Sequence, residues 1–467
     1  MTVPVILEGL AALGAASELR AGFVRALDRV HQRHGSLVVL RYPRGGRWNG
    51  AQIALVADPK IARAVLMDPA IFASPGTYPR LGPPGCPHRR LREGIILAKG
   101  ENHARQRRRV LPPLAPAAVE TLRPRIETIC EEEIASWPPG ERLDIVPLVK
   151  RLLRRLSLEL LFGETDIALG LEVGATLERH ADLSLSLQAI LLPLDWPGSD
   201  FQRLMRQAER TEAVLARWVA ERRRRAPGAD MLSNLLADED GDGPLTDSEA
   251  TAQLWTLYGA TFHTVSAALG WLVLLLAQHP AEAKRVRASF EAPARQQGRT
   301  PLAASDAIQE AMRLLTPVPF QMRQASRAMT LPHSDLQLAE RDTVVLSALA
   351  INRNTDVYGP DPLAFRPDRW RDQRAGAPNE LLVFSGGPRA CPGRAFAFAV
   401  LGAALEAIWR RWRVRIAPGE RLEYRTAITM SARRARVILE PQDGAFRPAK
   451  VTGPALRLTR ALAGVAA

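Results

Sequence analysis

A mainly helical protein with a small β component (mainly α, α+β) is predicted by three features of the sequence. Thr246-Asp247-Ser248-Glu249 is a capping box in front of a long apolar run that reaches Gln278, where His279-Pro280 ends it. A helix of about 32 residues, at roughly 1.5 Å each, spans some 48 Å, enough to cross a whole domain. Apolar residues recur at helical spacing over residues 17–34 and again over residues 117–161, where two or three core helices are expected. The clearest β signal is one pair of short runs: Leu37-Val38-Val39-Leu40 and Ile53-Ala54-Leu55-Val56, with Asn49-Gly50 as a turn signal, read as an antiparallel pair.

Composition sets limits on function. The 467 residues are 46% apolar and 24% charged, enough to bury a large core. The net charge of +14 is mostly arginine scattered along helices, not gathered with aromatic residues into a stripe, so no nucleic-acid partner is expected. Cys86, Cys130 and Cys391 form an odd set without Cys-x-x-Cys spacing, which fits a reducing cytoplasm. The first residues lack a basic lead, and their apolar patch is broken by Glu8 and Glu18, so neither signal peptide nor membrane anchor is expected. Gln253, Thr261, His263 and Thr264 interrupt the long helix, which therefore reads as a core element and not as a membrane span.

Taken in order, Asp58-Pro59 opens a helix with an aspartate cap and a proline in the first turn. Residues 74–88, with Pro79, Pro83, Pro84 and Pro87, read as one long irregular loop. A basic helix over residues 101–109, stopped by Pro112-Pro113, places His103 and Arg107 on one face. Residues 183–194 are apolar and end at Asp195-Trp196-Pro197-Gly198, whereas residues 228–244 read as a polar surface loop tipped by Asp240-Gly241-Asp242-Gly243. Glu310 and Arg313, three apart on one helix face, would alone be an ion pair of little weight.

The chemistry centres on Phe384-Ser385-Gly386-Gly387-Pro388-Arg389-Ala390-Cys391-Pro392-Gly393-Arg394. Pro392 reads as the first residue of a helix that continues in good helix formers, which puts the Cys391 sulfur at a positive helix terminus, where a thiolate is stabilised and can ligate iron. Gly387 and Gly393 would leave room for a flat cofactor, and Arg389 would meet an anionic group on it. These residues by themselves fit a buried structural cysteine as well.

Phe384-x-x-Gly387-x-x-x-Cys391-x-Gly393 resembles the haem-ligand loop of the cytochrome P-450 superfamily, and three further motifs follow that family's order across residues 17–440. The resemblance implies a helical triangular prism with small β-sheets, in which haem b lies between the long helix and the Cys391 loop with Cys391 as its axial thiolate. His103 and Arg107 match the propionate-binding helix, and Val318-Pro319-Phe320-Gln321-Met322-Arg323 resembles the substrate-lining strand, with Arg323 as a further propionate ligand. Phe365-Arg366-Pro367-Asp368-Arg369-Trp370 resembles the second arginine motif, so Glu310, Arg313 and Arg369 are expected to form a buried triad. Where the family has Ala/Gly-Gly-x-Asp/Glu-Thr, this chain reads Ala260-Thr261-Phe262-His263-Thr264. The catalytic threonine is kept as Thr264, and the acid is replaced by His263, either a proton relay or a packed imidazole. Thr261 in place of glycine puts a side chain where the family's helix bulges.

The implied activity is a monooxygenase that inserts one atom of O2 into a lipophilic small molecule. Its pocket would draw on residues 74–88, residues 183–194, Ala260, Val318, Phe320 and Ile428. Electrons would come from a ferredoxin or flavodoxin with its NAD(P)H reductase, docked on Arg105, Arg108, Arg109, Arg394, Arg410 and Arg411. Alternatives are another haem-thiolate chemistry, such as that of a peroxygenase, oxidative cyclase or coupling enzyme, and a non-catalytic haem sensor. The expected organisation is a cytoplasmic monomer with one haem domain over residues 1–440 and a C-terminal extension over 441–467.

Overall fold

The structure, a computed structural model, describes residues 1–41, 52–74, 81–140, 142–163, 167–184, 186, 188–189, 192–225, 228, 230–237, 245–291, 300–373, 381–426 and 429–464. The Asn49-Gly50 turn, the 240–243 loop tip, pocket residue Ile428, and residues 75–80, 185, 187, 190 and 191 of the expected pocket segments lie outside the described residues.

The long helix forms over Asp247–Gln278 and organises everything else. Thr246 Oγ1 accepts from the Glu249 N–H at 3.2 Å and the Glu249 carboxylate accepts from the Thr246 N–H at 2.9 Å, the reciprocal pair that satisfies two otherwise orphaned donors. Every residue from Val265 to Gln278 is buried, as a helix apolar on all faces requires. By length and composition it could cross a membrane, but here it is the core of the protein, packed against the helices Ile145–Phe162, Leu302–Leu314 and Arg394–Arg411. Residues 117–161 hold two helices, Pro116–Ala135 and Ile145–Phe162.

The larger sheet has six strands in the order Val5–Leu7, Leu37–Arg41, Gln52–Val56, Thr343–Leu346, Gln321–Ala325, Phe72–Ala73. The expected antiparallel pair is present with Val38 opposite Leu55, and Gln52–Val56 also pairs in parallel with Thr343–Leu346, a partner nearly 300 residues away. The helix Pro59–Met67 starts as expected, with the Asp58 carboxylate accepting from the Lys60 and Ile61 N–H groups at 2.8 and 3.1 Å. The loop expected over 74–88 ends sooner: Pro87 is the first residue of a short helix, Pro87–Arg90, because its fixed φ and missing N–H suit a helix start as well as a loop.

After the last strand, Arg436–Pro441, the chain returns to the end of the long helix. The Gln278 amide donates to the Ala449 and Leu462 carbonyls at 2.9 Å each and accepts from the Ala449 N–H at 2.8 Å. His279 Nε2 donates to the Ala461 carbonyl at 2.9 Å, and Leu458 and Leu462 join the main apolar core.

Candidate active site

A cavity of about 580 Å³ lies between the long helix and the Cys391 segment. Ala260, His263 and Thr264 line it from the helix, Phe384, Arg389, Cys391 and Gly393 from the opposite segment, and Val318, Phe320, Arg323, His103 and Arg107 from the sides. The sequence motifs, scattered over some 290 positions, are thus brought to one space.

The cysteine segment folds back on itself. The Cys391 N–H donates to the Phe384 carbonyl at 2.8 Å and the Ala390 N–H to the Gly387 carbonyl at 2.9 Å, while Ser385, at a φ of 60°, hydrogen-bonds Gln321 Oε1 at 2.8 Å. Two sequence expectations are corrected here. The helix Arg394–Arg411 is capped by Gly393, so Pro392 precedes the cap and is not the first helical residue. Gly387 is not a cavity residue: a Cβ there would sit 2.3 Å from the Leu66 carbonyl oxygen, at a φ of +66°, so glycine is needed for close approach to the neighbouring helix. Gly393 does line the cavity, where a Cβ would find only Cys391 Sγ, at 3.8 Å. Cys391 is accessible from the cavity, yet burial among protein atoms pushes its thiol above the ordinary value, opposed by the Gly393 N–H and by Arg107. A metal ion held at the sulfur would deprotonate a coordinating thiol outright.

Four basic side chains edge the cavity without a carboxylate partner among the described residues. Arg107 Nη2 donates to the Ala390 carbonyl at 2.9 Å, Arg389 Nη2 to Ala98 at 2.6 Å, and Arg323 Nη1 to Met322 at 2.8 Å. Each guanidinium retains further donors. Burial lowers Arg323 to about 10 with help from Arg389, and lowers His103 to about 4 with help from Arg389 and Arg107. Groups that depress one another in this way are a site for an anion.

Behind the cysteine segment, Glu310, fully buried, accepts five hydrogen bonds: from Arg313 Nε and Nη2 at 2.9 and 2.8 Å, Arg369 Nε at 2.9 Å, the Arg366 N–H at 3.0 Å and Trp370 Nε1 at 3.0 Å. Arg313 also donates to the Asn352, Pro362 and Ala364 carbonyls. The Asn352 side chain in turn accepts from the Leu382 N–H at 2.8 Å, two residues before Phe384. The triad expected from the motif spacing is therefore a buried cluster with a path to the cysteine segment.

On the long helix, Thr264 Oγ1 donates to the Ala260 carbonyl at 2.5 Å, and the helix runs unbroken past Thr261. His263 packs edge-on against Phe262, with burial and then Lys150 lowering it to about 4, Asp182 opposing and Arg425 reinforcing. Its imidazole is neutral at pH 7.

The outer arginines divide. Arg108, Arg394 and Arg411 are exposed, and Arg410 donates to the Phe290 carbonyl beside Glu406. Arg105 pairs with Glu249, and Arg109 is buried and donates to the Ala237 carbonyl, so the expected basic face loses these two: the helix turns Arg109 inward, away from Arg108. Sequence reading missed Lys150, Asp182 and Arg425 on the cavity wall, and the buried pair His88–His180, Nδ1 to Nε2 at 3.1 Å. Lys150, next to Arg151, reads as part of a solvated charge run, and histidines 92 positions apart carry no local signal.

A cysteine opposite a long helix, with a basic edge between them, is an arrangement that suits a haem-thiolate site. The profile of the family Cytochrome P450 matches residues 7–437, and the chain belongs to that family, whose cofactor is haem b and whose members are oxidoreductases. Two relatives from Streptomyces melanosporofaciens are similar over most of the chain: cyclooctat-9-en-7-ol 5-monooxygenase, 28% identical with 83% of this chain and 84% of the relative covered, and cyclooctatin synthase, 27% identical with 88% and 89% covered. The crystal structure of the cytochrome P450DA haem domain matches with a TM-score of 0.77 at 17% identity, covering 96% of this chain and 99% of that one, a likeness of fold. The residues present fit haem b: a cysteine sulfur open to the cavity, and three arginines on its edge with no carboxylate partner among the described residues.

Proposed function

We propose that the protein is a cytoplasmic, monomeric haem-thiolate monooxygenase that inserts one oxygen atom from O2 into a lipophilic small molecule of secondary metabolism. The observation that carries this reading is the cavity with Cys391 on one wall, Thr264 on another and His103, Arg107, Arg323 and Arg389 on its edge. When bound, haem would supply the activation of O2, and a thiolate ligand would favour O–O cleavage by donating electron density.

The chain's own residues do the rest. Cys391 would supply the thiolate, and Arg107, Arg323 and Arg389, with neutral His103 as a further hydrogen-bond donor, would hold the cofactor's carboxylates. Phe384 and Gly393 flank the sulfur. The Thr264 hydroxyl, which otherwise rests on the Ala260 carbonyl, turns to hold and pass a proton, and neutral His263 relays one between its two ring nitrogens. Ala260, Val318 and Phe320 shape an apolar wall that excludes water, and the Glu310, Arg313 and Arg369 cluster holds the ligand segment in place. Relatives named for cyclooctatin chemistry support a terpene-like substrate over a sugar or nucleotide. Electrons come from an acidic ferredoxin or flavodoxin with its NAD(P)H reductase, docking on Arg108, Arg394, Arg410 and Arg411.

A second reading, a peroxide-driven or other haem-thiolate chemistry, is favoured by one observation: the long helix offers imidazole where its family has a carboxylate. Turnover driven by NAD(P)H and a surrogate ferredoxin, compared with turnover driven by peroxide, separates the two. The site itself is tested by Cys391→Ser, which abolishes the reduced carbon monoxide band of thiolate ligation, whereas Cys86→Ala and Cys130→Ala leave it intact. A normal band in Cys391→Ser refutes the assignment.

A further inference from the structure

The active-site cavity has a second arm. A smaller cavity shares Val146, Lys150 and Arg433 with it and continues between the helix Ile145–Phe162 and the strand Met430–Arg434, past Asp144, Arg151, Arg154 and Leu171. The junction is rich in cations, and nearly all of them are already matched. Arg151 pairs with Glu133 at 2.8 Å, Arg154 with Glu178 at 2.7 Å, Arg425 with Asp182 at 2.5 Å and Arg433 with Glu423 at 3.5 Å. Asp144 Oδ1 accepts from the Val146 and Ala435 N–H groups, both at 3.1 Å.

Lys150 is the exception. It is half-buried, lines both arms, and has neither ion pair nor hydrogen bond among the described residues. Its ammonium brings three donors to the wall of a largely apolar cavity, and no carboxylate of the described residues lies within ion-pair distance of it. Its charge is felt inside the cavity, since it is the largest charge acting on His263.

We propose that Lys150 is the recognition point for a carboxylate carried by the substrate, so that the enzyme takes amphiphilic acids: an apolar body toward Cys391 and Thr264, an anionic head at the junction of the two arms. The proposal rests on the monooxygenase reading and adds the substrate class. Lys150 acts here as a specificity residue, since lysine binds a carboxylate as a compact point charge and needs no fixed fork geometry.

The test uses the haem-loaded enzyme and three probes of one chain length: dodecanoic acid, methyl dodecanoate and 1-dodecanol, each titrated against the Soret absorption. A charge-assisted hydrogen bond in a partly buried site corresponds to roughly 10- to 100-fold in affinity. The expected result is a preference of about that size for the acid over both neutral probes, erased in Lys150→Met and kept in Lys150→Arg. Equal affinities in the wild type, an acid preference that survives Lys150→Met, or failure of all three probes to bind an enzyme with a normal carbon monoxide band each overturn the proposal. Loss of that band in the wild type instead overturns the haem-thiolate reading beneath it.

Discussion

Replacing Arg313 by alanine tests how the ligand segment is held. The substitution takes two of the five hydrogen bonds from buried Glu310 and leaves the carbonyls of Asn352, Pro362 and Ala364 without this donor. Breaking a buried ion pair from one side costs about 3–5 kcal/mol, because the remaining charge stays desolvated. Against a total stability of roughly 5–15 kcal/mol, that raises the unfolded fraction by roughly 10²- to 10⁴-fold. Because Asn352 also holds the Leu382 N–H, the loss is transmitted to the segment bearing Cys391, and haem retention falls with stability. Urea unfolding of the apoprotein and haem content per chain are the two measurements. Glu310→Ala, which strands Arg313 and Arg369 together, is expected to be at least as damaging, and the double variant Glu310→Ala/Arg313→Ala to cost less than the sum of the two. An Arg313→Ala protein that fills with haem normally and unfolds within about 1 kcal/mol of wild type would refute the reasoning, since that is the range of a surface pair.

Three other expectations follow from the same geometry. Thr264→Ala is expected to cut coupled turnover by roughly 10²-fold and raise hydrogen peroxide released per NAD(P)H consumed, and His263→Ala to do the same; unchanged coupling and pH profile in the latter leave His263 as packing. His88, fully buried against His180 and pushed to about 3 first by burial and then by Arg92 and Arg89, stays neutral in the fold while the unfolded chain takes up a proton near 6.5. Its contribution is therefore complete above pH 6.5 and is lost as pH falls toward 3, a loss on the order of 5 kcal/mol that His88→Gln should flatten in urea titrations at stepped pH; parallel slopes would count against it. Reduction by an acidic ferredoxin is expected to slow with ionic strength and in Arg108→Glu, because steering charges are screened over about 8–10 Å at physiological salt; salt-independent reduction would remove this face as the docking site.

Much of the site was legible because its motifs are local. The capping box before Asp247, the Asp58-Pro59 helix start and the Glu310–Arg313 spacing each fall within a few residues, where spacing alone fixes the face. What pairs across the chain was not legible. Nothing in Gln52–Val56 names Thr343–Leu346 as its second neighbour, and nothing in Gly387 says that the Leu66 carbonyl, not a cofactor, forbids a side chain. Arg109 looks like Arg108 in a row of arginines, and only the helix's orientation buries one and exposes the other. Lys150 was lost in the same way, as one charge in a run whose other members found partners.

The amide of Gln278 sets an order of events during synthesis. Its partners at Ala449 and Leu462 are made 171 and 184 residues later, a delay of roughly 10–40 s at ribosomal speeds of about 5–20 residues per second. Until then the most apolar helix of the chain has an unsatisfied end and no cover for its last turn. The nascent protein therefore passes through a stage in which the Cys391 segment is already made and the core is still open, and chaperone capture or premature haem loading would be concentrated in that interval.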